Sequence, residues 1–300
     1  MNAAPQPFER IDLHTHSSWS DGVLAPAELV ALAASRAVQL LALTDHDTLA
    51  GCEAAGHACA AAGIAFVPAC EMTSLWRGRE IHVVALRVDP YAAPLAAHLA
   101  AVRAQRRERI RAIGLRLEHH GLEGTAIAAA VLARDGTPTR LHLARELVRR
   151  GHAADEDAAF RRWLGHGQRA AVPAEWPGVA ATVAAVAAAG GLAVLAHPHR
   201  YRLSAGALRE LCGEFRAAGG AGIEISLPGM APGDASRAAA LARRFGLAGS
   251  CGSDFHVPGV PWRPLGRFAK LPEGIVPIAE RLGLEPVRAA LPASQAPAGP

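Results

Sequence analysis

Apolar and polar positions follow two alternating patterns along most of the chain. Short apolar runs, typical of buried strands, are separated by longer alanine-rich segments with helical spacing. The predicted strands are 10–14, 39–44, 64–69, 80–88, 191–196, 222–226 and 247–250. The predicted helices between them are 26–36, 50–62, 178–189, 205–218 and 234–245. Strands that alternate with helices predict parallel β/α units, and hence an α/β fold.

The segment from residue 92 to about 170 has a different character, because it contains no convincing strand. An arginine-rich helix ends near Gly121, and two further helices are predicted over roughly 139–150 and 155–164. The sequence therefore predicts a barrel interrupted by an all-helical insertion. Its predicted parts are a first barrel segment (10–91), the insertion (92–175), a second barrel segment (176–284) and a disordered tail rich in Ala and Pro (285–300).

Composition narrows the class of protein. The 300 residues are 51% hydrophobic and 19% charged, as in an ordinary globular enzyme, and the net charge of +4 suits an anionic substrate without requiring one. No apolar run reaches the length of about 18 residues that a membrane span needs, and no signal peptide is recognisable, so a cytoplasmic protein is predicted. Five cysteines without a C-x-x-C pair predict reduced core residues.

Polar side chains occur at the ends of several of the apolar runs. His14 and His16 are two positions apart and so face the same side of an extended strand, and Asp254 and His256 repeat this spacing near the other end of the chain. Nine such groups are found in all: His14, His16, Asp21, His46, Glu71, His82, His197, Asp254 and His256. Because the strand ends of a barrel meet at one mouth, these side chains predict a shared metal site.

The size of this set indicates more than one ion. A tetrahedral ion takes about four ligands, so nine protein groups suggest two or three divalent ions. Three such ions would exceed the charge of three carboxylates by about three units, which favours phosphate oxygens and the formation of hydroxide from water. Mixed nitrogen and oxygen ligands favour manganese, with iron or zinc as alternatives, over magnesium or calcium. Asp45 and Asp47 flank His46 and either orient it or cap the next helix.

Together, the motifs resemble those of the PHP family, the polymerase and histidinol phosphatase domain. They are H-x-H with an Asp five residues on, T-D-H-D, a strand-end Glu, I-H, A-H-P and S-D-x-H. The resemblance implies a distorted (β/α)7 barrel with a trinuclear site that hydrolyses phosphate esters. It also implies three ligand sets: His14, His16, Glu71 and Asp254; then Glu71, His82 and His197; then Asp21, His46 and His256.

Within this family, the helical insertion after the I-H strand is similar to the branch of 3',5'-nucleoside bisphosphate phosphatases and 5'-3' exoribonucleases. The branch carries three further elements, which match Arg106 with Arg109, the stretch Thr139-Arg140-Leu141-His142, and Arg200 after His197. The resemblance implies that these residues hold the substrate's non-reacting phosphate, since a guanidinium can bind two phosphate oxygens. The implied nucleophile is a hydroxide that bridges two ions, and no side chain is assigned as a covalent nucleophile.

Several functions remain open at this point. The first is removal of the 3'-phosphate from 3',5'-bisphosphonucleosides such as adenosine 3',5'-bisphosphate, and the second is trimming of short single-stranded RNA from its 5' end. Histidinol phosphate hydrolysis is a weaker alternative, because the insertion does not resemble that branch. A non-catalytic module is also weaker, because such proteins lose ligands. No membrane and no obligate protein partner is implied, and 300 residues leave no room for a polymerase.

Overall fold

Seven strands form one sheet that curls into a nearly closed barrel. The computed structural model describes residues 8–261 and 263–284. The strands are β1 (Ile11–Asp12), β2 (Leu40–Leu43), β3 (Ala65–Trp76), β4 (Arg79–Leu86), β5 (Leu192–Leu195), β6 (Gly222–Ser226) and β7 (Ala248–Cys251). They are hydrogen-bonded in sequence order, from β1 to β7. Backbone hydrogen bonds from Leu13 to Cys251 and from His16 to Phe255 then connect the first strand to the last.

Helices cover the barrel and fill the segment between β4 and β5. They are α1 (Pro26–Ser35), α2 (Cys52–Ala62), α3 (Ala93–His119), α4 (Gly124–Leu132), α5 (Arg140–Arg149), α6 (Glu156–Ala159), α7 (Val179–Ala188), α8 (Ala205–Ala217) and α9 (Pro232–Phe245). One π-helical turn follows α6 (Phe160–Leu164), and two short 3₁₀ turns lie at Pro198–Tyr201 and Ile278–Arg281. Helix α4 was not predicted. The predicted strands and helices all occur. β6 has the predicted ends, the helix predicted over 155–164 is divided between α6 and the π-helical turn, and most of the others have shifted ends.

The direction of β4 corrects the expectation that all strands are parallel. β4 is antiparallel to both β3 and β5. The reason is a two-residue turn between Trp76 and Arg79, in which Arg77 and Gly78 both have positive φ, at 48° and 76°. Such a turn can only connect antiparallel strands. The start of β4 therefore lies at the same edge of the barrel as the carboxyl ends of the parallel strands.

Among the described residues, four apolar clusters hold the fold together. One fills the barrel interior with small and branched side chains such as Leu40, Val67 and Val194, and a second packs the sheet against α7, α8 and α9. A third lies under α1 and α2. The fourth belongs to the insertion, where Ile113, Leu143 and Trp163 are almost fully buried. The insertion therefore has an apolar core of its own.

The insertion also contacts the loop that carries Asp21. Thr137 N donates to Trp19 O over 2.8 Å, and an arginine of α5, Arg145, donates to Asp21 O over 2.8 Å. At Gly136 a Cβ atom would lie 2.3 Å from Trp19 O, so only glycine allows this approach. The insertion thus helps to position the loop after β1.

Two remaining predictions concern other parts of the chain. All five cysteines are buried and reduced, as predicted. Among the described residues, no helix combines the length and apolar character that crossing a bilayer requires. The predicted tail, 285–300, lies outside the described residues.

Candidate metal centre

The nine predicted metal ligands meet at one mouth of the barrel. Most of them follow the carboxyl ends of parallel strands: His14 and His16 follow β1, His46 follows β2, His197 follows β5 and Asp254 follows β7. The β1 and β7 ends approach so closely that a Cβ atom on Gly252 would lie 2.4 Å from the Cβ atom of His14.

Glu71 and His82 reach the same mouth by a different route. β3 is 12 residues long, and Glu71 lies in its middle, beside His46 across an isolated parallel bridge. His82 pairs with Thr73 in the antiparallel hairpin, near the start of β4. The reversal of β4 therefore brings His82 to the edge where the other ligands lie.

Glu71 is the centre of the cluster. Its Oε2 atom lies 3.3 Å from the Nε2 atoms of both His14 and His16, and 3.2 Å from Nδ1 of His46. Its Oε1 atom lies 2.8 Å from Nδ1 of His82 and 2.8 Å from Nε2 of His197. One carboxylate thus contacts five imidazoles.

Within the part of the chain that the structure describes, candidate ligand atoms within 4.8 Å of one another form three groups. These are His14, His16, Glu71 and Asp254; His16, Asp21, His46 and His256; and His46, Glu71 and His82. The first group coincides with a set implied by the family resemblance, and the second contains another such set together with His16. The third departs from the resemblance, because His46 stands with Glu71 and His82 in place of His197. His197 nevertheless shares Glu71 Oε1 with His82.

The carboxylates of the site are held in the ionised form. Burial alone would raise the pKa of Glu71, but the adjacent His82, His14 and His46 hold it well below its usual value. Burial opposes ionisation of Asp21 and Asp254 as well. Nevertheless, His46 and His256 keep the pKa of Asp21 well below its usual value, and Arg200 and His14 do the same for Asp254. Negative charge is therefore concentrated among the imidazoles.

The histidines respond differently to their surroundings. Burial would lower the pKa of His16, but the adjacent carboxylates of Asp254 and Glu71 raise it to about 10. Burial dominates at His46 and lowers its pKa to about 3. A cluster of acids and imidazoles that is this crowded is stabilised when protons or metal cations neutralise the acids.

Several buried polar atoms of the cluster have no partner within the described part of the protein and could serve as metal ligands. Five buried atoms of the nine proposed ligand residues have no hydrogen-bond partner among the described residues: His14 Nε2, His16 Nε2, Asp21 Oδ1, His46 Nδ1 and His197 Nδ1. Buried polar atoms are almost always paired, so this concentration needs an explanation. Imidazole nitrogens and carboxylate oxygens in this arrangement fit divalent transition metals.

Glu224 is a residue of the site that the sequence did not reveal. This almost fully buried side chain of β6 lies 2.7 Å from His14 Nδ1 and accepts a hydrogen bond from His197 N over 2.5 Å. Burial opposes ionisation, but His14 holds its pKa below the usual value, so Glu224 accepts and His14 Nδ1 donates. Nε2 of His14 is then left to face the cluster. A lone Glu in the apolar run Gly222–Ser226 was the available signal.

Three buried aspartates support the loops that carry the ligands. Asp12 accepts from Ser253 N over 2.8 Å and so links the β1 and β7 ends, and burial raises its pKa to about 6. Asp45 accepts from Ser17 N and from the Ser20 hydroxyl. Asp47 accepts from Thr73 N over 2.7 Å and from Arg106 Nε over 2.7 Å. Asp45 and Asp47 therefore hold neighbouring loops, and neither caps α2, whose N-cap is Gly51.

The predicted phosphate-binding residues occupy different surroundings. Arg106 is buried and donates to Asp47 and to the Thr73 hydroxyl. Thr139 and His142 form the N-terminal cap of α5, where His142 Nδ1 accepts from Thr139 N over 3.1 Å. The structure brings these three residues next to the site, with donors directed at the protein.

The other three arginines lie at the rim of the cluster of proposed ligands. Arg200 donates to Asp254. Arg109 and Arg140 both donate to Glu80, which the sequence reasoning missed, each over 2.8 Å. Glu80 Oε1 in turn lies 3.7 Å from His82 Nε2. Three guanidinium groups therefore lie within two contacts of the proposed ligands.

Comparison with known proteins identifies a family. Residues 12–145 match the PHP domain. The chain is 40% identical over 273 residues to a 5'-3' exoribonuclease of Haemophilus influenzae, covering 91% of this chain and 99% of that protein. It is also 40% identical over 273 residues to a 3',5'-nucleoside bisphosphate phosphatase of Chromobacterium violaceum, covering 91% and 96% of the two chains.

Solved structures support the same relationship. A Chromobacterium violaceum protein described as an amidohydrolase, with bound sulfate and no metal, superposes with a TM-score of 0.86 at 38% identity, covering 91% of this chain and 95% of that one. A Bifidobacterium adolescentis protein assigned as a metal-dependent phosphoesterase gives a TM-score of 0.77 at 29% identity, covering 90% and 94%. By identity, coverage and fold, the chain belongs to the PHP family of metal-dependent phosphoesterases.

Proposed function

We propose that the protein hydrolyses the P–O3' bond of nucleotides that carry a 5'-phosphate, with 3',5'-bisphosphonucleosides such as adenosine 3',5'-bisphosphate as substrates. The product is the 5'-mononucleotide. The observation that carries this proposal is the convergence of acid and imidazole side chains around Glu71, with arginines at the rim. The similarity to a bisphosphate phosphatase over 91% of the chain supports the choice of substrate.

The proposed ligands are the nine side chains of the cluster, and the proposed cofactors are two or three divalent ions, with manganese first among them. Such ions supply an activated water and neutralise the charge that develops on phosphorus. Their proposed holders are His14, His16, Asp21, His46, Glu71, His82, His197, Asp254 and His256.

The chain's own residues then bind and orient the substrate. Arg140 and Arg200 are each 30% exposed at the side chain, and both lie beside proposed ligands, at His82 through Glu80 and at Asp254. We assign Arg140 to the 5'-phosphate. In a departure from the role that the resemblance implies, we assign Arg200 to the reacting phosphate, because it contacts the proposed ligand Asp254 and a guanidinium can bind two phosphate oxygens. Arg106, Thr139 and His142 form hydrogen bonds within the protein next to the site, and we assign them to stabilising its wall.

The exposure of the cluster favours a reacting phosphate close to the end of the substrate. Seven of the nine proposed ligands are buried, and only His82 and His256 are partly exposed. Ligands buried to this extent are reached more readily by a phosphate near the end of a flexible molecule than by one within a folded chain. Both a bisphosphonucleoside and the 5' end of a single-stranded RNA meet this condition.

A second candidate is 5'-3' exoribonuclease activity on short RNA. The similarity to an exoribonuclease at 40% identity favours it. In both reactions the bond that breaks is P–O3', and a 5'-phosphate lies on the same ribose. The two activities therefore use one site and differ in whether a further nucleotide is attached to the reacting phosphate.

A paired assay tests the proposal. With Mn²⁺ present, kcat/KM is measured for phosphate release from adenosine 3',5'-bisphosphate and for mononucleotide release from a 5'-phosphorylated RNA oligomer. We expect turnover of the bisphosphonucleoside by the wild type and by His119→Ala, an exposed-residue control, and none by His16→Ala. Exclusive turnover of RNA would favour the second candidate, and turnover of neither substrate would contradict both. Hydrolysis of histidinol phosphate by the same preparation would be measured as well.

A cytoplasmic location of the protein remains a prediction.

A further inference from the structure

Glu80 joins the barrel to two arginines of the insertion. This residue of β4 lies two positions before His82, and its side chain is 25% exposed. Its Oε2 atom accepts from Arg109 Nη1 over 2.8 Å and from Trp176 Nε1 over 2.9 Å, and its Oε1 atom accepts from Arg140 Nη2 over 2.8 Å. One carboxylate therefore binds donors from α3, from α5 and from the segment before α7.

The same carboxylate faces the metal cluster. Oε1 of Glu80, which accepts from Arg140, also lies 3.7 Å from Nε2 of His82. A single oxygen atom therefore separates the Arg140 guanidinium from a proposed ligand. Arg140 therefore lies at the edge of the proposed reaction site, and its hydrogen bond to Glu80 holds it there.

Arg140 retains most of its hydrogen-bonding capacity. A guanidinium has five N–H donors, and among the described residues the Arg140 side chain donates only to Glu80. Arg109, by contrast, also donates from Nε to Val172 O, and its side chain is only 13% exposed. Its guanidinium also lies 5.4 Å from the centre of the Trp176 ring. Arg109 is thus fixed in the protein wall, whereas Arg140 is anchored at one nitrogen and has donors to spare.

Charge supports the same distinction. Two guanidinium groups share one carboxylate, so one positive charge is left uncompensated in this trio. An uncompensated, partly exposed guanidinium beside a metal cluster is suited to a second phosphate on the substrate. A substrate without a second phosphate would gain no binding free energy from this guanidinium.

We propose that Glu80 is a positioning residue that sets the preference for substrates with a 5'-phosphate, by holding Arg140 in place for that phosphate. This inference rests on the proposed function for its substrate. Glu80 acts through Arg140 and does not touch the reacting atoms. The carboxylate limits the rotation of a long flexible side chain, so less conformational freedom is lost when the phosphate binds.

A double-mutant cycle tests this role. KM and kcat are measured for adenosine 3',5'-bisphosphate and for p-nitrophenyl phosphate in the wild type, Glu80→Gln, Arg140→Gln and the double variant. We expect Glu80→Gln to raise KM for the bisphosphonucleoside about tenfold, the loss of one charge-assisted hydrogen bond, and to change the aryl phosphate kinetics less than twofold. In the Arg140→Gln background, Glu80→Gln should have no further effect on KM.

Three results would overturn the inference. A lower KM for the bisphosphonucleoside in Glu80→Gln would mean that the carboxylate competes with the phosphate. Equal effects on both substrates would mean that Glu80 acts through His82 or the fold, and independent effects in the double variant would separate it from Arg140. Glu108→Gln, which removes an exposed partner of Arg111, is the matched control and should leave both substrates unchanged.

A binding measurement separates this inference from the proposed function. Dissociation constants for adenosine 5'-monophosphate and for adenosine are compared in the wild type and Glu80→Gln, without turnover. We expect the preference of the wild type for the phosphorylated ligand to fall about tenfold in the variant. If the wild type fails to hydrolyse the bisphosphonucleoside, the proposed function is wrong. If the preference for the phosphorylated ligand is unchanged in Glu80→Gln, the inference about Glu80 is wrong, whatever the outcome of the hydrolysis assay.

Discussion

Single carboxylates organise this site by contacting more than one partner. Glu71 touches five imidazoles, and Glu224, one layer further from the mouth, fixes His14 and the backbone of His197 together. The hydrogen bond at Nδ1 leaves His14 with Nε2 free for the cluster. A partner behind a metal-binding imidazole fixes the tautomer and the ring orientation. The strength of metal binding therefore depends on residues that contact no metal.

Glu224→Gln tests this dependence. The amide has one acceptor oxygen for two donors, His14 Nδ1–H and His197 N–H, so one of these hydrogen bonds is lost. We expect the affinity for Mn²⁺ to fall about 10- to 100-fold, the usual effect of losing such a partner. Competition with a fluorescent chelator measures this affinity.

The control for that experiment is Glu53→Gln, an exposed substitution on α2 that removes the same charge away from the site. The control should bind Mn²⁺ like the wild type. Equal affinities for wild type and Glu224→Gln would show that Glu224 has no part in orienting His14.

Between elements, the start of α5 connects the insertion to the barrel. Thr139 and His142 close the cap, Arg140 reaches Glu80, and Arg145 reaches the Asp21 loop. The cap, the contact with Glu80 and the contact with the Asp21 loop therefore all depend on α5. His142 serves the cap in its neutral form, because its Nδ1 atom accepts from Thr139 N.

A pH dependence follows from this cap. Burial lowers the pKa of His142 from 6.5 to about 4. Between these two values His142 is protonated in the unfolded chain and neutral in the folded chain. The stability contributed by neutral His142 is complete above pH 6.5 and is lost as the pH falls towards 4. The full loss is about 3 kcal/mol. Gln at this position accepts from the same N–H and does not titrate.

Urea unfolding at pH 7 and pH 4.5, with chelator present to exclude metal release, measures this effect. We expect His142→Gln to lose less stability than the wild type over this interval. His119→Gln, at an exposed histidine, should follow the wild type. If all three proteins show the same change in stability, the cap does not depend on the charge of His142.

For the molecule as a whole, the spacing of residues along the sequence predicted most of the proposed ligand positions. It predicted much less about which distant residues contact each other. The i, i+2 pairs and the strand-end positions of His14, His16, Asp254 and His256 follow from the geometry of one strand, and the structure brings them together. The reversal of β4 depends on the turn at Arg77-Gly78, whose two positive φ angles were not recognised. The barrel with a helical insertion was nevertheless predicted, because the reversal leaves the order of the strands unchanged.

Contacts between distant segments explain what the sequence could not show. Glu224 is 210 residues from His14, and Glu80 is 60 residues from Arg140. No local pattern marks either pair. Arg106 illustrates the converse: its sequence motif matches a phosphate-binding element, yet its donors are directed at Asp47 and Thr73 in the barrel wall. Its role towards substrate stays a prediction.

The central claim is that nine side chains from across the chain hold divalent metal ions at one barrel mouth. Anomalous diffraction at the manganese edge, from crystals grown with Mn²⁺, tests it most directly. The account predicts two or three anomalous peaks within about 2.2 Å of the cluster's nitrogen and oxygen atoms. One should lie among His14, His16, Glu71 and Asp254. A map with no peak in contact with these four side chains would contradict the account.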